Sequence, residues 1–137
     1  MALFARKHSY DKLADIPFFK GWTGDELAHV DRVAEYVSYA DGDQLIKQGT
    51  TGYEFIVILE GEVQVLIDGE VVADLGAGDH VGEMALLDGS PRNATVTAKG
   101  AVRALLVGAR EFRALVELVP SLDRKLLISL TQRLRRS

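Results

Sequence analysis

The segment of this chain with the strongest capacity for ligand chemistry contains Glu83 and Arg92. Glycines precede it, and we predict a short helical turn from Glu83 to Leu87. The N-terminus of such a turn offers free backbone N–H groups and a partial positive charge, which suit a phosphate. An Asp-Gly-Ser-Pro turn then returns the chain to Arg92, whose planar guanidinium matches two phosphate oxygens.

The carboxylate of Glu83 adds a second chemical requirement. It accepts hydrogen bonds from a sugar hydroxyl, but it repels a phosphate unless Arg92 screens it. A carboxylate beside a guanidinium therefore suits a ligand with both hydroxyl and anionic groups, such as a nucleotide. An internal salt bridge between Glu83 and Arg92 across the turn is the alternative, and composition alone favours the salt bridge.

The elements that must position this segment follow from the hydrophobic pattern. Thr23 and Glu26 form a capping box, followed by apolar residues at helical spacing. From residue 36 onward, short strand-like runs alternate with glycine turns, which favours an antiparallel barrel or roll. Asp68-Gly69 is the strongest hairpin turn, because a type I′ turn needs positive φ at both central residues. Lys99-Gly100 is a second hairpin candidate.

The pattern becomes helical again after residue 108. It predicts one helix over Ala109 to Leu118 and another after Pro120. Leucines at 122, 126, 130 and 134 form an apolar stripe that must face the roll, a neighbouring helix or a second copy of the chain. The fold class is thus mainly β with flanking helices, in a single domain over residues 1–137. Its parts are a helical lead-in (1–35), a β-roll (36–108) and closing helices (109–137).

Composition excludes several function classes. The chain has 137 residues, a formal net charge of −4 and no cysteine, which removes disulfides, thiolate zinc sites and cysteine nucleophiles. The negative charge disfavours nucleic-acid binding. Long apolar runs and a signal peptide are absent, so we expect a cytoplasmic protein without membrane contact. The histidines are scattered, a P-loop is missing and Ser90 lacks a histidine partner, so neither a metal site nor an enzyme is expected.

Residues 82–96, which read Gly-Glu-Met-Ala-Leu-Leu, a short turn and Pro-Arg-Asn-Ala-Thr-Val, resemble the phosphate-binding cassette of the cyclic nucleotide-binding domain family. The turn sequences at 41–43, 47–49 and 59–63 resemble the family's turns in the first half of its roll. The resemblance implies an eight-stranded antiparallel β-roll with an N-terminal helix and two C-terminal helices. We expect a stand-alone domain of the bacterial type.

The resemblance also implies a role for each cassette residue. Glu83 would bind the ribose 2′-hydroxyl, and Arg92 would bind the exocyclic oxygens of the cyclic phosphate. Asn93 follows the arginine, at a position where a hydroxyl residue is associated in the family with contact to a guanine amino group. Asparagine could make a similar contact, so the choice of base stays open. Val81 replaces the family's usual aromatic residue, which should alter packing rather than phosphate chemistry. Backbone groups would complete the cradle at Gly82, Met84, Ala85 and Ala94.

The expected function is binding of cyclic AMP, with cyclic GMP as second choice, and no cofactor besides this ligand. In the family, a residue of the last helix often covers the base, and candidates here are Arg124, Lys125, Ile128 and Arg133. Movement of that helix would signal to an unidentified protein effector. The alternative is a protein-interaction or dimerisation module that keeps the roll without binding nucleotide. The leucine stripe would then be its contact surface, and it also makes a homodimer possible.

Overall fold

The computed structural model describes residues 2–3, 13–51, 54–82 and 91–118 of the chain. A 3-10 helix at Pro17–Phe19 accompanies two α-helices and seven strands in this part of the molecule. The helices are α1 (Gly24–Val33) and α2 (Ala109–Leu118). The strands are β1 (Ala2–Leu3), β2 (Glu35–Tyr39), β3 (Gln44–Ile46), β4 (Glu54–Ile67), β5 (Glu70–Gly76), β6 (His80–Val81) and β7 (Thr95–Gly108).

The capping box at the start of α1 is confirmed. The Thr23 hydroxyl accepts a hydrogen bond from the Glu26 N–H (3.1 Å), and the Glu26 carboxylate accepts one from the Thr23 N–H (2.8 Å). These contacts satisfy two backbone donors that helix geometry leaves unpaired. Leu27 and Val30 then bury one face of the helix against the roll. A purely local sequence signal therefore defines where this helix begins.

Two long strands, β4 and β7, form the centre of the roll. Each has 14 residues, and they pair with each other antiparallel along most of their length. At one end β2 pairs with β7 and β6 pairs with β4, whereas at the other end β3 pairs with β7 and β5 pairs with β4. Together these pairings confirm the predicted antiparallel β-roll. The strand count is smaller than eight because β4 and β7 each run through what the sequence divides into two strands.

The prediction of a hairpin at Lys99-Gly100 is wrong. Strand β7 continues through both residues, with Gly100 at a φ of +81°. The register between β4 and β7 shifts near Glu60, and Gly61 lies there with a φ of +96°. Both strands bend at this level, so a positive-φ glycine marks a kink in a paired strand and not a reversal. The Gly100 N–H is bound by the Asp41 carboxylate at 2.7 Å.

The hairpin at Asp68-Gly69 is confirmed. Both residues have positive φ, +52° and +83°, and the flanking strands β4 and β5 pair antiparallel. The Gln48 side chain clamps this turn from another loop. Its Oε1 accepts from the Asp68 N–H (2.9 Å), and its Nε2 donates to the Asp68 carboxylate (3.0 Å). The turn is therefore fixed by tertiary contacts as well as by its own sequence.

The buried residues described form two apolar clusters. One lies between the helices and the outer end of the roll and includes Phe55 and Phe112. The other fills the roll interior and includes Ile56 and Val63. Successive residues of β4 contribute to different clusters because side chains alternate between the two faces of a strand. Strand β4 thus joins the helical layer to the interior of the roll.

The ends of the chain are only partly described. The prediction of a helical lead-in over 1–35 fails at Ala2–Leu3, which pair as β1 with residues 37–38 of β2. The helix predicted over Ala109 to Leu118 is confirmed as α2. The leucine stripe from 122 to 134 lies outside the described residues. In the described part of the chain, no helix has the length and apolar character needed to span a bilayer.

Burial raises the pKa of the Tyr39 phenol from 10.0 to about 12, and the carboxylates of Glu54, Asp43 and Glu35 add to the effect. A raised folded-state pKa means that the stabilisation is complete below pH 10 and is lost as the pH rises from 10 to 12. We expect the free energy of unfolding to fall by about 1–2 kcal/mol in that window. Denaturant unfolding of the parent and of Tyr39→Phe at both pH values tests this. An equal fall in both proteins would assign the effect to other groups.

Candidate functional site

Arg92 lies three residues before the start of β7 and is buried, with 8% of its surface exposed. Its Nη1 donates to the Gly82 carbonyl oxygen at 3.0 Å, and its Nη2 donates to the Glu54 carbonyl oxygen at 2.6 Å. Gly82 directly follows β6, and Glu54 is the first residue of β4. A guanidinium has five N–H donors in a fixed plane, and these two contacts fix the orientation of that plane.

The backbone of Arg92 is held as firmly as its side chain. Its N–H donates to the Thr50 carbonyl oxygen, and its own carbonyl accepts from the Gly49 N–H, both at 2.8 Å. A β-bridge between Thr51 and Pro91 continues this pairing. The turn at residues 47–51 therefore fixes the position of the Arg92 backbone, from which the side chain extends. Fixed geometry of this kind lowers the entropic cost of binding an anion.

Gly82 provides the space in which the guanidinium lies. Its φ is +92°, and a Cβ built on it would overlap Arg92 Nη1 and lie 2.7 Å from the Glu54 carbonyl oxygen. Any larger residue would displace the arginine or strain the backbone of β4. The glycine is thus required by a close approach as well as by its backbone conformation.

The structure brings together only some of the residues predicted for the site. Gly82 and Arg92 are in direct contact, Ala94 is buried, and Asn93 beside them is exposed. Glu83, Met84 and Ala85 lie outside the described residues, as does the helical turn predicted there. The base-covering candidates of the last helix also lie outside them. The proposed contact between Glu83 and a sugar hydroxyl therefore stays a prediction.

Sequence analysis missed two contributors to the site: the Glu54 carbonyl and the Gly49–Thr50 backbone. Both act through main-chain atoms, which carry no residue-type signal. The glycine turn at 47–49 was visible, but its pairing with Arg92 depends on a contact between segments more than 40 residues apart. Only the folded chain brings these groups to the arginine.

An aromatic series connects the site to α2. Phe55, the residue after Glu54, lies 5.5 Å from the His80 ring and 5.3 Å from the Phe112 ring, measured between centroids. His80 belongs to the strand that leads into Gly82, and Phe112 belongs to α2. All three side chains are buried. These three rings thus form a packed connection between the strand before Gly82 and the helix that follows the roll.

The chemistry of this arrangement is that of an anion site. The guanidinium of Arg92 is buried and is oriented by the carbonyls of Gly82 and Glu54. The missing side chain of Gly82 leaves the space that the guanidinium occupies. Among the described residues, no three histidine or carboxylate side chains are grouped as metal ligands would be. The described parts offer the means to bind an anionic group in a fixed orientation.

Residues 36–118 match the cyclic nucleotide-binding domain family, and this range contains the roll, Gly82 and Arg92. The chain is 37% identical over 121 residues to a cAMP-dependent protein kinase regulatory subunit of Mycosarcoma maydis, covering 81% of this chain and 23% of that protein. It therefore spans about a quarter of the length of this curated relative.

Two solved structures share the fold closely. A cAMP-bound PfPKA-R (residues 141–441) superposes with a TM-score of 0.79 at 28% identity, covering 92% of this chain and 45% of that one. The regulatory subunit of a cAMP-independent protein kinase A from Trypanosoma brucei gives 0.78 at 30% identity, covering 87% and 44%. The family match over residues 36–118, which is more than half of the chain, shows that this chain belongs to the cyclic nucleotide-binding domain family.

Proposed function

We propose that this domain is a non-catalytic sensor that binds a cyclic nucleotide, with cyclic AMP preferred over cyclic GMP. The observation that carries the proposal is the buried, doubly anchored guanidinium of Arg92. In the proposed complex, N–H groups of the Arg92 guanidinium bind the exocyclic oxygens of the cyclic phosphate. Backbone groups at Gly82, Met84, Ala85 and Ala94 complete the phosphate cradle.

The orientation of the buried guanidinium supports an anionic ligand. Two backbone carbonyls hold the plane of the Arg92 guanidinium in one position. A cyclic phosphate carries one negative charge and two exocyclic oxygens, which match the planar donors of one guanidinium. Bidentate binding of this kind selects for geometry as well as charge.

Ribose and base recognition complete the proposal. In the proposed complex, Glu83 accepts a hydrogen bond from the ribose 2′-hydroxyl, and exposed Asn93 leaves the choice of base open. The preference for cyclic AMP rests on the relatives, which include a cAMP-dependent protein kinase regulatory subunit. The structural neighbour PfPKA-R is bound to cAMP, which supports this preference, whereas the neighbour from Trypanosoma brucei is the regulatory subunit of a cAMP-independent protein kinase A.

The proposed output is a change in the position of the C-terminal helix, passed to a protein effector. The packed series His80–Phe55–Phe112 supports it because it joins the site to α2. A ligand shifts such an equilibrium only by its differential affinity for the two helix positions. The regulatory-subunit name of the curated relative is compatible with a protein effector. In this proposal the domain acts in the cytoplasm.

Calorimetric titration of refolded, nucleotide-free protein with cyclic AMP, cyclic GMP and 5′-AMP tests the proposal. Refolding removes any nucleotide that co-purifies and masks the site. Selective binding of one cyclic nucleotide supports a sensor and identifies the base that Asn93 accepts. If none of the three ligands binds to a protein with an intact fold, the result would reject nucleotide sensing and favour the interaction module.

The role of Glu83 is tested by pairing a mutation with a ligand change. Glu83→Ala should weaken binding of cyclic AMP by about 1.5–3 kcal/mol, because a charged acceptor of a hydroxyl hydrogen bond is lost. It should have little effect on 2′-deoxy cyclic AMP, which lacks that hydroxyl. Calorimetry of both ligands on both proteins measures the coupling. Equal losses for the two ligands would remove Glu83 from ribose recognition.

A further inference from the structure

Charge is strongly segregated along this chain. Between residues 48 and 91 there are nine aspartate or glutamate residues and neither a lysine nor an arginine. The hairpin of β4 and β5 lies inside this segment. Its exposed acids include Glu62, Asp68, Glu70 and Asp74. A surface of one sign attracts partners of the opposite sign and speeds their association.

The same hairpin exposes apolar side chains. Val71 is 51% exposed, Val72 is 55% exposed, and Ile67 is 38% exposed, and these are the exposed large apolar residues in the described part of the chain. The two valines lie between Glu70 and Asp74 on β5. A β-bulge near Leu66 places two residues of β5 against one of β4, and Val72 is the extra residue. The result is a short apolar strip with an acid at each end.

Strand β5 is also an edge of the sheet. Among the described strands it pairs only with β4, so its outer side presents main-chain N–H and C=O groups. Edge strands can accept an additional strand, in which main-chain hydrogen bonds supply affinity and side chains supply specificity. The clamp from Gln48 to Asp68 holds the hairpin in place. The edge is therefore available and already ordered.

A second copy of this chain fits the edge poorly. In an antiparallel β5–β5 pair centred on Val72, Glu70 of each copy would face Asp74 of the other. Like charges directly opposite one another across a strand pair are destabilising. Nucleic acid and anionic lipid are repelled by the same acids. The charge pattern instead fits a partner that carries basic residues on both sides of a short apolar segment.

We propose that β5 is a docking edge for an extended, basic segment of a partner protein. The segment adds antiparallel or parallel to β5, places apolar side chains on Val71 and Val72, and places lysine or arginine near Glu70 and Asp74. This proposal does not depend on the proposed nucleotide function.

The probe is a fluorescent peptide of alternating lysine and valine, titrated into the full chain and followed by anisotropy. Two comparison peptides alternate glutamate with valine and lysine with serine. We expect the lysine–valine peptide to bind most tightly. The double variant Glu70→Lys/Asp74→Lys should weaken it at least about tenfold, because two attractive contacts become repulsive. The matched control Asp15→Lys/Glu35→Lys changes the net charge equally, away from β5, and should change affinity less than about twofold.

A second variant tests the apolar strip at constant charge. Val71→Thr/Val72→Thr keeps the shape and the β-propensity but should weaken the peptide severalfold, with circular dichroism unchanged. Hydrogen exchange should show protection of β5 amides when the lysine–valine peptide binds. The proposal is overturned if that peptide fails to bind, if the lysine–serine peptide binds equally well, or if the two charge variants weaken binding equally. It is also overturned if the β5 amides gain no protection.

Discussion

Arg92→Ala is expected to lose roughly 2–5 kcal/mol of cyclic nucleotide binding, because a buried phosphate would lose its charged partner. This corresponds to an increase in Kd of about thirtyfold to several thousandfold. The variant also leaves the Gly82 and Glu54 carbonyls without the donors that they now accept from. Calorimetric titration with cyclic AMP measures the loss, after circular dichroism and a urea melt have shown that the variant is folded.

Two variants control for charge and for folding. Arg103→Ala removes an exposed arginine of β7, whose contact to Glu60 is a 3.9 Å surface ion pair, and should leave binding unchanged. Arg92→Lys keeps the positive charge but loses the planar donors, so its affinity should fall between those of the parent and the alanine variant. If Arg92→Ala bound cyclic AMP as tightly as Arg103→Ala, the phosphate would lie elsewhere.

Gly82→Ala is expected to have the second largest effect, on both stability and binding. The new methyl group would overlap the guanidinium, which can withdraw only by leaving its two carbonyl acceptors. It would also lie 2.7 Å from the Glu54 carbonyl oxygen, a backbone atom that cannot move cheaply. We expect a loss of about 2–4 kcal/mol in the free energy of unfolding, from backbone strain and overpacking together. Urea denaturation measures this loss.

Gly42→Ala is the matched control for that experiment. Gly42 has a φ of +84°, close to the +92° of Gly82, but a Cβ there meets no atom within 4 Å. The free energy of unfolding of Gly42→Ala should therefore fall only by the cost of placing a non-glycine residue in the left-handed region, about 1–2 kcal/mol. The difference between the two variants isolates the close approach at the arginine. Equal losses would mean that Gly82 is needed for its backbone conformation alone. Cyclic AMP affinity should fall in Gly82→Ala and stay constant in Gly42→Ala.

Local features of this protein are readable from its sequence because their causes are local. The Thr23–Glu26 capping box and the Asp68-Gly69 turn depend on residues within a few positions of one another, and both form as predicted. The glycine-separated strand pattern likewise identifies an antiparallel roll. The anion-binding role predicted for Arg92 comes from the resemblance of residues 82–96 to the family's cassette, because the Glu83 and Arg92 pair by itself also allows a salt bridge.

The tertiary structure decided the remaining features, because their partners are distant in the chain. Whether a Lys-Gly pair forms a hairpin turn or lies within a continuing strand depends on the neighbouring strand. At Gly100 the chain stays in strand β7, and pairing with β4 resumes on both sides of a register shift, so the glycine lies at an irregularity within the strand. The acceptors that hold Arg92 include the Glu54 carbonyl, 38 residues away, and main-chain carbonyls look alike in every sequence. The sequence alone thus determines which groups can perform the chemistry, and the close approach of β4, β6 and the 47–51 turn decides how they are held.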